Sequence, residues 1–158
     1  MINKNYAQPP LCFYQKIIND NNFNKIYILS NGHENPVVDR LLNFNPKIEF
    51  KKDSLVNDIS KIISAYNFVI SQSTFAQCLI RLNDNWKNLY IYKYGKYHLK
   101  NFNCTIHEMQ ASKKYKKIMF KKWKNTKEQL DLMLNETCFE SKIIPFISSN
   151  YKQRNMKK

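Results

Sequence analysis

No stretch of this chain approaches the ~20 consecutive apolar residues that cross a bilayer as a helix, and the opening "MINKNYAQPP" lacks an apolar core of signal-peptide length. Neither a membrane anchor nor a secretion leader is expected. Metal-ligand spacing is missing too. Cys12, Cys78, Cys104 and Cys138 form no CxxC pair, and His33, His98 and His107 make no ligand-spaced set with them, so no metal site is expected. Glycine is nearly absent, with 2 residues, while Lys, Asn, Ile, Tyr and Phe are heavily used, a composition that codon bias in an AT-rich genome also produces. Acidic residues are few: 12 against 26 Lys and Arg leave a net charge of +14, which suits an anionic partner such as nucleic acid, an acidic membrane surface or a phosphate-bearing small molecule. Codon bias weakens that inference by more than half. Apolar side chains are present in quantity. At 158 residues and 43% hydrophobic, the chain can build the core of one domain, or of one half of a two-domain enzyme.

The apolar residues fall into a rhythm. After "QPP", Leu11, Tyr14, Ile17 and Ile18 share one helical face. "KIYILS" is β-rich and runs into "NGHENP", where Asn35 and Pro36 cap and open a helix carrying Val37, Val38, Leu41 and Leu42. "KIEFKK" is a second strand, and Asp53 or Ser54 caps a helix whose Leu55, Ile59, Ile62, Ile63 and Tyr66 make one stripe. "NFVIS" and "NLYIYK" are strands three and four, separated by a helical stripe of Phe75, Cys78, Leu79 and Leu82. Consecutive βαβ units of this kind predict an α/β fold, a Rossmann-like parallel sheet of about four to five strands with helices on both faces. The core spans residues 1–98. Residues 99–145 read as an irregular segment followed by a C-terminal helical extension, in which Asn125 or Thr126 with Glu128 or Gln129 makes a capping box, and 146–158 as a basic tail. Among the cysteines, Cys12 and Cys78 read as buried free thiols, leaving Cys104 and Cys138 as the two that an oxidising compartment could join.

In open parallel sheets ligands bind beyond the carboxyl ends of the strands. Two exits stand out. The first, "SNGHENP", offers Ser30, Asn31, Glu34 and Asn35; the second, "SQSTF", offers the hydroxyls of Ser71, Ser73 and Thr74 at a helix start, where a diphosphate fits and Phe75 could stack on a ring. Spacing alone favours plainer roles: Thr74 and Gln77 as a capping box, Phe75 as core, Asp58 as a first-turn acid. No histidine has a supporting pattern that makes it a catalytic base, and no catalytic residue is assigned.

"NDISKIISAYNFVISQSTFAQCL" resembles the last donor-binding motif of the fucosyltransferase-like superfamily, where an Asp-led helix precedes a strand ending in a Ser-Ser or Ser-Thr-Phe element. "YAQPPLCFYQKII", "KIYILSNGHENPVVDRLL" and "MFKKWKNTKEQLDLMLNETC" are similar, in the right order, to flanking stretches of its eukaryotic and viral members. The resemblance implies a glycosyltransferase of two Rossmann domains whose C-terminal domain binds a nucleotide sugar, GDP-fucose in most members, with no cofactor and no required metal. By position it implies that Ser73 and Thr74 hold the diphosphate, Phe75 flanks the nucleotide, Asp58 contacts the base, and Ser30 and Asn31 belong to the first loop. The acceptor, glycan or protein, is left open. It also places such enzymes in the Golgi lumen, against a cytoplasmic location for a chain complete as it stands.

Two departures qualify that implication. "AQCLIRL" follows Phe75 where many members carry a Trp-rich run of small residues, and the HxRxGD element, whose Arg stabilises the leaving diphosphate, does not occur. The chain is then expected to act with a separate N-terminal part, to be a truncated piece of a longer sequence, or to be an inactive remnant. A basic nucleic-acid-binding module is the alternative, with Lys113, Lys114, Lys116, Lys117, Lys121, Lys122 and Lys124 interleaved with Tyr115 and Trp123. The helical spacing of Tyr115, Met119 and Trp123 favours a solvated lysine face anchored to the core instead. Two sequons, at Asn103 and Asn135, would accept glycans in a secretory lumen, though an Asn-rich chain also makes sequons by chance.

Overall fold

The computed structural model describes residues 7–30, 35–70, 74–83, 85–94, 104–138 and 142–144. Its elements are α1 (Leu11–Asp20), β1 (Ile26–Ile28), α2 (Pro36–Leu42), β2 (Ile48–Phe50), α3 (Leu55–Ser64), β3 (Asn67–Ile70), α4 (Thr74–Leu79), β4 (Asn88–Lys93), β5 (Thr105–Gln110), α5 (Lys113–Met119), α6 (Lys127–Asn135) and β6 (Lys142–Ile144).

Side chains that satisfy orphan backbone N–H groups set the helix starts. Asn35 Oδ1 accepts from the Val37 amide at 3.0 Å with Pro36 in the first turn of α2. Of the alternatives at α3, Ser54 is the cap, taking the Asn57 amide, while Asp53 bonds the Ser54 amide and the Asn57 side chain. At α6 the box is Thr126 with Gln129. Gln129 is buried and uses its whole amide: Nε2 donates to the carbonyls of Ile118 and Lys122, and Oε1 accepts from the amides of Lys124 and Thr126. That pins the α5–α6 connector, in which Lys121 and Asn125 have positive φ.

The architecture is mixed α/β. β1 and β2 form a parallel pair; β3, β4 and β5 are parallel in that order, and β6 closes the far edge antiparallel to β5. One continuous parallel sheet of four to five strands was the expectation, and among the described residues no hydrogen-bonded ladder joins the β1–β2 pair to β3. β1 and β2 are three residues each, which leaves few positions for a ladder. β5, at Thr105–Gln110, lies where the sequence reads as irregular, so the sheet continues past residue 98.

Helices cover both faces, and β4 shows why its run "NLYIYK" is apolar throughout. Leu89 and Ile91 face a cluster with Ile62 of α3 and Ala76 and Leu79 of α4; Tyr90 and Tyr92 face a second cluster with Phe13 and Ile17 of α1, Val37 and Leu41 of α2, Tyr115 and Met119 of α5, and Leu132 and Met133 of α6. Each such side chain contributes about 1.5–3 kcal/mol by leaving water. The "QPP" segment belongs to this second core. Pro9 and Pro10 are fully buried, and the Tyr94 and Tyr115 hydroxyls both donate to the Gln8 carbonyl. The stripe expected on α3 buries only Ile62, while Leu55, Ile63 and Tyr66 are exposed; among the described residues α4 is the helix that packs most against α3.

The cysteine expectations are overturned. Cys12 on α1 is disulfide-bonded to Cys138, just past α6, across 126 residues with a Cα–Cα distance of 5.6 Å. Cys104 is a buried free thiol and Cys78 an exposed one. The packing of α1 against α6 decides the pairing, a contact that local sequence does not carry.

Candidate functional site

Residues next in sequence to three of the candidate site residues pack into one apolar cluster under α3 and α4. Leu29, the last residue before Ser30, packs into the cluster that holds Ile59 beside Asp58, Ile70 at the end of β3, and Ala76 beside Phe75. Ser30, Asp58 and Phe75 are each one residue along the chain from a member of that cluster. Asn31 and Ser73 lie outside the described residues, as do Ser71 and Glu34. Thr74 is the first residue of α4.

Asp58 sits in the first turn of α3, where the helix dipole favours a carboxylate. Its Oδ1 is buried with no hydrogen-bond partner, and Lys61 Nζ stands 3.8 Å away. Lys61 is shared with Asp53, 2.7 Å from Oδ2. That ammonium, then the Asn57 side chain and the Ser54 amide, hold the Asp53 carboxyl well below the usual carboxylate range. Tyr27 of β1, half exposed, lies under two cations, Lys25 at 5.1 Å and Lys61 at 5.9 Å from its ring centre. Phe75 is 42% exposed and is not a core residue, so its ring is open to a flat ligand.

Sequence reasoning missed a further polar group at the end of the parallel strands. Register places Ile70 of β3 opposite Ile91 of β4, and Lys93 lies two residues further on the same face, at the exit end of β3. Lys93 Nζ donates to both oxygens of the buried Glu108 carboxylate on β5, at 2.8 and 2.7 Å, and Gln110 Nε2 donates to Glu108 as well. The pair is charge-assisted and bidentate, and it ties the end of β4 to β5. Its only sequence signal was a Lys closing an apolar strand.

Of the two aromatics in the lysine-rich stretch, Tyr115 is fully buried and offers no face for a base to stack on, while Trp123 is half-buried against the core; the lysines around them are mostly exposed. Among the described residues no group of three or more His, Cys, Asp and Glu side chains could hold a metal ion, and no helix is long and apolar enough to cross a membrane. Comparison with protein-family models, with curated proteins and with solved structures found no match to this chain.

Proposed function

We propose that the chain is the nucleotide-sugar-binding unit of a fucosyltransferase-like glycosyltransferase, taking a guanosine diphosphate sugar, GDP-fucose, as donor. The observation that supports the reading is that Leu29, Ile59 and Ala76, the chain neighbours of Ser30, Asp58 and Phe75, share one apolar cluster. In this reading the loop after β3, with Ser73 and Thr74, takes the diphosphate, Phe75 lies along the base, and Asp58 accepts from its N–H edge. Asn31 belongs to the adjoining loop. A Rossmann-like arrangement, with the β1–β2 pair set beside β3, is part of the same proposal; Ile28 and Val69 supporting one cluster while Leu29 and Phe68 support the other is consistent with it.

Transfer needs a cation on the leaving diphosphate, an interaction of the kind worth roughly 3–4 kcal/mol in a transition state. A separate N-terminal domain carrying the HxRxGD Arg would supply it, and the acceptor would be a glycan or protein bound between the two. Calorimetry separates the assignments. GDP should bind wild-type protein and lose at least tenfold in affinity in Ser73→Ala/Thr74→Ala; unchanged affinity in that variant would remove the diphosphate from this loop.

A further inference from the structure

Asn135 closes α6 on the side away from its buried Gln129, Leu132 and Met133, and its side chain is exposed. The helix ends there. Glu136 turns to extended geometry, Thr137 is exposed, and Cys138 is held to Cys12. "NET" is thus an Asn-x-Thr acceptor sequence in an accessible stretch, three residues from a disulfide. A disulfide that joins the first helix to the end of the sixth across 126 residues belongs to an oxidising compartment. In eukaryotic cells that compartment, the secretory lumen, is also where such sequences are glycosylated. Neither observation depends on the donor-binding reading.

We infer that Asn135 is an N-glycosylation site and that this chain folds in the lumen of the secretory pathway. In the modification, the Asn135 Nδ2 nitrogen attacks the anomeric carbon of a polyprenyl-diphosphate-linked oligosaccharide. A C–N bond forms, the anomeric C–O bond breaks, the lipid diphosphate leaves, and one amide proton passes to a base of the transferase. The other N–H remains on the nitrogen, which in the unmodified protein donates to the Asp131 carbonyl at 2.9 Å. The Cys12 and Cys138 thiols lose two protons and two electrons to a disulfide-bearing oxidoreductase of the same lumen. A glycan at Asn135 projects from the exposed side of α6 and leaves the α1–α6 packing intact. The other sequon ends in Thr105, whose amide is bonded to the Lys87 carbonyl at 2.9 Å, and has buried Cys104 at its centre.

The test uses full-length protein captured by antibody from the cells that make it, alkylated before lysis. Amidase deglycosylation in heavy-oxygen water should convert Asn135 to labelled Asp, and Cys12 and Cys138 should be recovered as one linked peptide pair. In a translation system with microsomes and a cleavable leader fused to the chain, Asn135→Gln and Thr137→Ala should each remove one endoglycosidase-sensitive mobility step, and Thr137→Ser should keep it. An unmodified Asn135 in the cellular protein, or alkylated Cys12 and Cys138, would overturn the inference. So would a number of mobility steps in Thr137→Ala equal to that of the wild type.

Discussion

His107 shows how one residue makes the protein pH-sensitive. Its Nε2 is 2.9 Å from Asn88 Oδ1, its ring stacks on Tyr90 at 4.6 Å, and partial burial holds its pKa below the ordinary 6.5. The unfolded chain therefore binds a proton that the folded protein resists, so the stability His107 contributes is complete above 6.5 and is lost as the pH falls from there toward the lowered folded value. Urea midpoints should decrease between pH 7 and pH 5, and His107→Phe, which retains the ring contact with Tyr90, should flatten that part of the slope. A slope unchanged in the variant would assign it to other groups. Thiol reactivity divides the cysteines in the same way. Alkylation of the native, unreduced protein should mark the exposed Cys78 first, Cys104 only on unfolding, since burial raises its thiol pKa, and Cys12 and Cys138 only after reduction.

At the scale of elements, the most concentrated polar dependence is the α5–α6 connector. Replacing Gln129 with Leu keeps the bulk and strands two carbonyls and two amides that its amide now satisfies, at a cost of about 2–3 kcal/mol. Chemical denaturation should show that loss with an unchanged m-value, and a change under 1 kcal/mol would mean that water replaces the clamp. Strands β1 to β4 and the caps of α2, α3 and α6 were legible because apolar period and cap chemistry are local; Thr74, read as a cap, is instead the first residue of α4. β5 was not, because "TIHEMQ" puts a histidine and a glutamate inside a buried strand, and the lysine that neutralises Glu108 lies 15 residues away on β4. Asp58 and Phe75 were legible only as residue types; that their chain neighbours Ile59 and Ala76 share a cluster with Leu29 is a long-range contact no local pattern fixes. The stripe on α3 misled for the opposite reason, since apolar period records what a helix could bury, and this one has too few neighbours to bury it.

For the molecule as a whole, the Cys12–Cys138 bond constrains nearly the full chain. Opening a loop of 126 residues releases entropy to the unfolded state worth about 4–5 kcal/mol in the chain-entropy estimate. Cys138→Ser should lower the melting temperature by roughly 8–20 °C, as 2–4 °C per kcal/mol predicts for a chain of this size. Reduction of the wild type should reproduce that shift and have no further effect on the variant. Because the bond joins α1 to α6 on the core opposite the α3–α4 face, the same treatment should leave the proposed nucleotide binding intact well below the melting point. The central claim is that this face recognises a guanosine diphosphate sugar. The most direct measurement is a calorimetric comparison of GDP, GDP-fucose and UDP on the oxidised protein. Saturable one-to-one binding of the two guanine ligands, at least tenfold tighter than UDP and weakened by Asp58→Ala, is the predicted result; no heat from GDP, or equal affinity for UDP, would contradict it.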